Sequence, residues 1–412
     1  MTENRKPAAA GAHRAENPGR KKKSRETASG VSFGRKCRIF FDAFRDNLIV
    51  RYTGRVLLTI LVTAVLLIGI LYLMLYRCCN GPSEAGKELF VSTILETGQM
   101  KFLASWVLSK EEIAEIQEKN AFDHMDTDID ESLIKIEENT TESYTVTSDS
   151  AEGSTEEFDE NGVRIVEISG RTFFAKLMIV KDPSQVCVGS SYSNGWGEYG
   201  MELSEIVLKS GAIGGVNGGL YESEGNKGGN PYGVVVENGV ILKNTPSSNS
   251  GLYMIGFTED NILVIKDMSD IKTADAFTAY KEENKIRDAV CFQEESSDAN
   301  NHFVPLVING EGRELNGLGS GANPRTAIGQ RADGAVLLLV TDGRGASGHL
   351  GATASDLIGI MLEYGAVNAA NLDGGSSSVM YYDNEWEMTS TTLYYQNSSW
   401  KLPTAFVVKA KS

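Results

Sequence analysis

One acid, two glycines and three serines follow one another within the segment Asn371–Met380. The glycines allow positive φ and a close backbone approach, so that successive N–H groups can converge on an anion. The serine hydroxyls add donors, and Asp373 can accept a proton or orient a sugar hydroxyl. A polar turn after a strand is the simpler alternative. The residues expected to contact a substrate here are Asn371, Gly374, Gly375, Ser376 and Ser377.

Three earlier segments are also polar and contain glycine: Gly215–Tyr221, Asn323–Gly329 and Val340–Arg344. Arginine suits bidentate contact with a phosphate, and both later segments carry one. The structural alternatives are a backbone bulge in the first segment and an Arg325–Asp342 ion pair that only holds two loops together. The substrate-binding candidates in these segments are Asn217, Gly218, Gly219, Arg325, Thr326 and Arg344.

Taken in order with Asn371–Met380, these segments resemble the phosphodiester glycosidase family over Gly162–Lys409. The resemblance implies a hydrolase that releases a sugar, such as N-acetylglucosamine, from a sugar-1-phosphodiester. Its substrate would be a phosphorylated glycan or a cell-wall or exopolysaccharide polymer. The chain departs from the family at Ser376, where a third glycine is usual, and at Leu220–Tyr221, where an aromatic pair is usual.

The chemistry implied by this resemblance needs a carboxylate and a phosphate-binding cation. A phosphodiester leaves as a weakly basic anion, so protonation of the leaving oxygen matters less than for an alkoxide. A carboxylate then activates water or takes up the sugar. Asp373 is the first candidate for that carboxylate, Asp342 is the second, and Glu222 is the least favoured. No cofactor or metal ligand set is assigned, although Asp342 could instead bind a divalent cation such as calcium; no EF-hand or zinc spacing is present.

Two non-enzymatic functions compete with this interpretation. A glycan- or wall-polymer-binding module would line its groove with aromatic side chains, for which Trp196, Tyr199 and Tyr221 are the candidates. A scaffold for a polysaccharide synthesis complex would not need the polar loops. The presence of two acids and two arginines in the motifs favours the enzyme.

Charge and hydropathy divide the chain sharply. The chain holds 39 Lys and Arg against 55 Asp and Glu. Residues 1–55 hold 14 basic and 5 acidic residues, which leaves 25 basic and 50 acidic residues for the remainder. The acidic remainder argues against nucleic acid as a partner. Val56–Tyr76 contains no charge and is long enough to cross a bilayer. The basic excess before it predicts a cytoplasmic N-terminus and an extracellular C-terminal domain.

We expect five regions. They are a basic, mostly disordered cytoplasmic arm (1–55), a transmembrane helix (56–76), a helical stalk (77–122), an acidic linker (123–160) and a phosphodiester glycosidase-like domain (161–412). Apolar helical positions in the stalk, with Cys78 and Cys79 nearby, predict a homodimer. Cys187 and Cys291 are either a disulfide or two buried thiols.

The C-terminal domain is expected to be α+β, with a mixed β-sheet and packed helices. Val163–Ile168, Ala175–Val180 and Ala335–Val340 predict strands, and Tyr232–Ile241 predicts a hairpin. Thr353 caps a helix that ends at Glu363. This order of elements places Asp342 and Asp373 at equivalent strand ends, where ligands bind in open α/β sheets.

Overall fold

The computed structural model describes residues 34–35, 38, 48–96, 100–120, 122–136, 157–222, 226–294, 302–391 and 398–411. Most of the predicted basic arm and the middle of the predicted acidic linker lie outside these residues. The chain divides into two compact units, Met1–Ile70 and Leu71–Ser412.

The helices of the described residues are short, apart from the first. Arg51–Cys79, within that first helix, is long and apolar enough to cross a membrane, as predicted for Val56–Tyr76. The main helices are α1 (Leu48–Cys79), α2 (Glu84–Leu95), α3 (Lys110–Lys119), α4 (Leu203–Lys209), α5 (Ala274–Glu283) and α6 (Ala354–Glu363). Short 3-10 turns cover Lys101–Trp106, Glu131–Leu133, Pro183–Gln185, Met268–Asp270, Ala346–Gly348 and Gly375–Ser377.

The strands form three sheets. They are β1 (Val163–Ser169), β2 (Phe174–Val180), β3 (Val186–Ser190), β4 (Gly214–Asn217), β5 (Gly233–Glu237), β6 (Val240–Thr245), β7 (Leu252–Thr258), β8 (Leu263–Asp267), β9 (Ile286–Gln293), β10 (Pro305–Ile308), β11 (Glu311–Gly312), β12 (Thr326–Arg331), β13 (Val336–Thr341), β14 (Ala366–Asn371), β15 (Met380–Tyr382), β16 (Glu385–Met388) and β17 (Thr404–Val408). A seven-stranded sheet has the order β1-β2-β13-β12-β14-β10-β11; two five-stranded sheets have the orders β16-β15-β4-β17-β3 and β6-β5-β9-β7-β8.

The predicted α+β class is confirmed, and so are the predicted strands, the hairpin of β5 and β6 and the Thr353-capped helix α6. The sheet arrangement differs from the prediction of a mixed sheet, because neighbouring strands in all three sheets are antiparallel. β13 and β14 do run in the same direction across α6. β12 lies between them and pairs with both, so each ladder is antiparallel.

Apolar side chains from all three sheets share one core. Met178 and Val340 come from the seven-stranded sheet, Val216 and Phe406 from the β4 sheet, and Ile255 from the β9 sheet. Each sheet covers its other face with a helix: α6 packs on the seven-stranded sheet, α5 on the β9 sheet and α4 on the β4 sheet. Because the sheets meet at this core, the ends of their strands lie close enough to build one site.

The predicted helical segment after α1 folds as α2 and α3, and a capping box between Ser109 and Glu112 opens α3. Its apolar side chains Val91, Leu95, Ala104, Leu108 and Ile116 are buried together with Cys79. Since these positions are already covered within one chain, the homodimer stays a prediction that needs another surface.

Cys187, in β3, and Cys291, in β9, are buried free thiols. Burial raises the pKa of Cys187 to about 11 and that of Cys291 to about 12. Both thiols therefore stay protonated and act as small apolar side chains in the cores.

Leu95→Ala should lower the free energy of unfolding by about 2–5 kcal/mol, because Leu95 is 8% exposed in this cluster. Thermal and denaturant unfolding of the full chain in detergent would measure the change. Leu208→Ala is the control, since Leu208 is 81% exposed on α4. Equal stability of the two variants would show that α2 does not unfold together with the domain.

Candidate functional site

Three strand ends meet at one edge of the seven-stranded sheet. β12 is antiparallel to β13 and β14, so its start lies beside their ends. Arg325, just before β12, therefore lies between Asp342, just after β13, and Asp373, just after β14. The neighbouring sheet brings Asn217, the last residue of β4, to the same edge. The four polar segments of the sequence converge here.

The amide of Asn217 ties these segments together. Its Oδ1 accepts hydrogen bonds from Thr326 Oγ1 at 2.7 Å and from the Val379 N–H at 3.3 Å. Its Nδ2 donates to the Asp373 carbonyl at 2.6 Å. The side chain has no exposed surface. In this structure Asn217 joins loops, and its predicted contact with a sugar stays a prediction.

Asp373 is a partly buried carboxylate with an altered acidity. Burial raises its pKa to about 6, while hydrogen bonds from the Ser377 hydroxyl and the Gly374 N–H, and the charge of Arg344, limit the rise. The Gly374 N–H lies 3.0 Å from Asp373 Oδ1. At neutral pH such a carboxylate is mostly ionised yet basic enough to accept a proton.

Tyr221 supports Asp373 through a hydroxyl relay. Its hydroxyl lies 2.8 Å from Ser377 Oγ. Because Ser377 donates its hydrogen to Asp373, Tyr221 must be the donor to Ser377. Burial, and then the charge of Asp373, raises the pKa of Tyr221 well above its ordinary value, so the donor stays protonated.

Arg344 is an exposed cation beside this carboxylate. Its Nη1 donates to Ser376 Oγ at 2.9 Å, and its Nη2 lies 2.6 Å from where a Cβ on Gly375 would stand. Arg344 itself has φ 54°, a left-handed conformation that is uncommon for a residue with a side chain. Desolvation, followed by the charge of Arg325, lowers its pKa, and Asp373 opposes this effect.

Arg325 is buried, in contrast to Arg344. Its Nη2 donates to Glu96 Oε2 at 2.6 Å and to the Gly321 carbonyl at 2.9 Å. The guanidinium lies 5.0 Å from the ring centroid of Phe303. The ion-pair partner of Arg325 is thus Glu96 in the segment after α2, whereas the sequence offered Asp342 as the alternative to a phosphate. Its predicted phosphate contact stays a prediction.

Asp342 binds a histidine and a strand. Its Oδ1 accepts the Phe174 N–H at 2.7 Å, and its Oδ2 lies 2.6 Å from Nδ1 of His349. The carboxylate therefore orients the imidazole, which is one-third exposed, in the same loop as Arg344. A catalytic role for Asp342 stays a prediction.

Two of the backbone donors predicted for the glycine loop are engaged within the protein. The Gly374 N–H is bound to Asp373, and the Gly375 N–H donates to the Pro324 carbonyl at 2.8 Å. This conformation of the loop positions Asp373. The use of these N–H groups as anion donors stays a prediction.

The glycines after Asn217 are explained by close packing. A Cβ on Gly218 would lie 2.7 Å from Thr404 Oγ1, and one on Gly219 would lie 2.4 Å from the Cys291 carbonyl. No side chain fits at such distances. The two glycines let β4 and the β9 sheet meet beneath the site.

Other predicted residues lie beneath the site or away from its acid. Asn371 is buried and donates to the Phe303 carbonyl at 3.1 Å. Trp196 donates to the Leu242 carbonyl, Glu222 accepts from Asn230, and Tyr199 is exposed. Within the part of the chain that the structure describes, no group of three or more His, Cys, Asp or Glu is placed to hold a metal.

Two residues of the site carried little or no signal in the sequence. Glu96 is one of 55 acidic residues and lies just after α2, far from the motifs in sequence. His349 was noticeable only because it lies near Arg344 in sequence. Glu96 is identified by its long-range contact with Arg325, and His349 by its contact with Asp342, seven residues earlier in the same loop.

The convergence of these segments defines a class of protein. Residues 210–409 match the sequence model of the phosphodiester glycosidase family. That stretch contains all four polar segments and belongs to this family. The match begins after α4, so β1 to β3 and the helices α1 to α4 precede it.

Particular relatives are distant or match over short stretches. The SPbeta prophage-derived uncharacterized protein YomE of Bacillus subtilis (strain 168) is 46% identical over 56 residues, which is 14% of this chain and only 8% of that protein. The zebrafish N-acetylglucosamine-1-phosphodiester alpha-N-acetylglucosaminidase catalytic domain is 16% identical, with a TM-score of 0.45 over 60% of this chain and 82% of that one. A hypothetical protein from Synechocystis is 16% identical, with a TM-score of 0.38 over 60% and 61%.

The raised pKa of Asp373 gives stability a defined pH dependence. Between its ordinary value of 3.8 and about 6, the folded protein binds more protons at Asp373 than the unfolded chain does, so stability falls as pH rises. Asp373→Asn removes this effect. The variant should be more stable than the parent above pH 6, by about 1–3 kcal/mol, and the difference should vanish near pH 4.

Melting temperatures of both proteins across this pH range would test the expectation. Asp260→Asn, in the exposed turn between β7 and β8, controls for the loss of one negative charge. A constant difference between Asp373→Asn and the parent at every pH would contradict the assignment of a partly buried carboxylate with a raised pKa.

Proposed function

We propose that this chain is a membrane-anchored hydrolase that cleaves the glycosidic bond of a sugar-1-phosphodiester. The observation that carries the proposal is the placement of Arg344 on the loop of Asp373, through Ser376. An exposed guanidinium and a basic carboxylate on adjoining loops are the two groups that this reaction needs. Family membership of residues 210–409 supports the same reaction class.

Arg344 is the group that holds the phosphate. Its guanidinium can form bidentate hydrogen bonds with two phosphate oxygens. Arg344 is exposed, whereas Arg325 is buried. Nη1 now donates to Ser376, a contact that a phosphate oxygen can replace or share. Arg325 lies beneath the site, paired with Glu96, and Arg344 is the more accessible of the two cations.

Asp373 is the base. A water oxygen forms the new bond to the anomeric carbon of the sugar, and the bond from that carbon to the phosphate oxygen breaks. The phosphate leaves as a monoester anion that Arg344 stabilises, and the proton of the water passes to the Asp373 carboxylate. The Tyr221–Ser377 relay donates one hydrogen bond to that carboxylate and fixes its orientation.

The substrate class we propose is a phosphorylated glycan or a phosphodiester-linked wall or exopolysaccharide polymer, with N-acetylglucosamine as one candidate sugar. A non-catalytic glycan-binding module would use aromatic platforms. Tyr221 is buried against Ser377 and is not free to stack on a sugar. That observation favours the hydrolase over the binding module.

The orientation we propose places the domain outside the cell. Residues 1–55 hold 14 Lys and Arg against 5 Asp and Glu and precede α1, and a basic flank stays in the cytoplasm. The acidic remainder then lies on the far side of the membrane, where wall and surface polymers are found.

Turnover should depend on both groups. Full-length protein in detergent is incubated with a panel of sugar-1-phosphodiesters, and free reducing sugar is measured. Asp373→Asn should lower kcat by at least ~10²-fold, as expected for a lost proton-transfer group. Arg344→Lys should lower kcat/KM by about 10- to 100-fold, because a bidentate contact to a charged oxygen is lost.

Arg164→Lys is the matched control, because Arg164 lies at the opposite end of the sheet on β1. It should leave kcat and KM unchanged. Diester binding by the parent without release of sugar would favour the binding module. Release that persists in Asp373→Asn would move the role of base to another carboxylate, with Asp342 next.

Protease added to intact cells should digest the C-terminal domain and spare the basic arm. The positive charge before α1 is the physical reason. Epitope tags placed before residue 34 and after Ser412 would report on both ends. Protection of the C-terminal tag until the cells are lysed would reverse the orientation.

A further inference from the structure

The carboxylate of Glu96 contacts residues beneath the site, although Glu96 lies outside the stretch that matches the family. Glu96 follows α2, and its side chain is 3% exposed. Oε2 accepts hydrogen bonds from Arg325 Nη2 and from Asn323 Nδ2, both at 2.6 Å. Oε1 accepts the Gly321 N–H. All three donors lie in the segment that leads into β12.

The end of α2 also packs closely against the segment that Glu96 binds. Thr93 Oγ1, one turn earlier on α2, accepts the Ala322 N–H at 3.0 Å. A Cβ on Gly321 would lie 2.5 Å from the Thr93 nitrogen. The end of α2 therefore fits against residues 321–325 with no space for a side chain between them.

This contact is linked to the reacting groups by short backbone connections. The Arg325 N–H donates to Thr341 Oγ1 at 2.9 Å, and the Thr341 N–H donates to the Arg325 carbonyl at 2.8 Å. The Gly375 N–H donates to the Pro324 carbonyl at 2.8 Å. The segment held by Glu96 thus positions both the end of β13, which leads to Arg344, and the loop of Asp373.

Charge gives Glu96 a second effect on the site. The cation of Arg325 lowers the pKa of Arg344, whereas the charge of Glu96 raises it. Glu96 therefore offsets a buried positive charge next to the exposed one. Arg344 is left as the cation that a phosphate can reach.

We propose that Glu96 is a positioning residue of the active site, supplied by the helices that follow α1. It holds Asn323 and Arg325 so that Arg344 and Asp373 act on one substrate. The site is then complete only while the end of α2 is docked. This inference rests on the proposed hydrolase function.

Glu96→Gln tests it in the full-length protein in detergent. Glutamine keeps the size but removes the charge, and its NH₂ group would face the donor of Asn323 or Gly321. We expect kcat to fall by about 10- to 100-fold with a smaller change in KM, because a misplacement of about 1 Å at the reacting groups has that effect. Glu96→Asp, which keeps the charge, should retain more of kcat than Glu96→Gln.

Glu88→Gln is the matched control, since Glu88 lies on α2, the helix that Glu96 follows, and pairs with Lys119. It should leave both constants unchanged. Hydrogen exchange of peptides covering residues 317–325 gives a measurement that does not need turnover. Exchange should be faster in Glu96→Gln than in Glu88→Gln or the parent.

The outcomes separate this inference from the proposed function. Higher turnover in Glu96→Gln would show that Glu96 blocks Arg325 from substrate, and would overturn the positioning role. Unchanged kcat and KM would show that the Glu96 contact serves folding alone, and would also overturn the positioning role. A parent protein that hydrolyses no diester refutes the proposed function; unchanged hydrogen exchange in Glu96→Gln would then also refute the positioning role.

Discussion

The hydrogen bonds of the Asn217 amide are the interaction on which the site depends. One side chain binds Thr326, Val379 and the Asp373 carbonyl, and so joins the end of β4 to two strand ends of a different sheet. Because the amide is fully buried, a substitution that removes it would leave all three of these groups without that hydrogen bond in a place that water does not reach. Asparagine suits the position because one short side chain provides both a donor and an acceptor.

Two pairs of opposite charges lie around this amide. Glu96 pairs with Arg325 beneath the surface, and Asp373 faces Arg344 above it. Breaking a buried ion pair by removal of one partner commonly costs about 3–5 kcal/mol, so the lower pair is a strong constraint on the fold. The upper pair is only partly buried. Its carboxylate keeps a raised pKa because burial outweighs the attraction of Arg344, which leaves it able to accept a proton.

Two residues of the site adopt positive φ, a backbone conformation that is unfavourable for residues with a side chain. Arg344 adopts φ 54°, and Gly375, which faces its guanidinium, adopts φ 64°. The Arg344 N–H donates to the Leu350 carbonyl at 3.0 Å, which closes the loop and holds this conformation. Strained backbone of this kind persists only where surrounding contacts determine it, and it directs the side chain of Arg344 toward the loop of Asp373. The glycines beside Asn217 serve packing instead.

The sequence by itself determined the α+β class, the apolar helix, most strand positions and the four polar segments, because these depend on local periodicity, capping and residue type. It also identified Asp373 as the leading acid from its glycine and serine neighbours. Only the tertiary structure decided that the strands form three antiparallel sheets, since strand pairing is a long-range choice that local pattern does not encode. The tertiary structure likewise buried Arg325, exposed Arg344 and brought Glu96 to the site from residues that precede the domain. A single acid at the end of a helix has no distinguishing pattern, and its role arises only from the cation that folding places beside it.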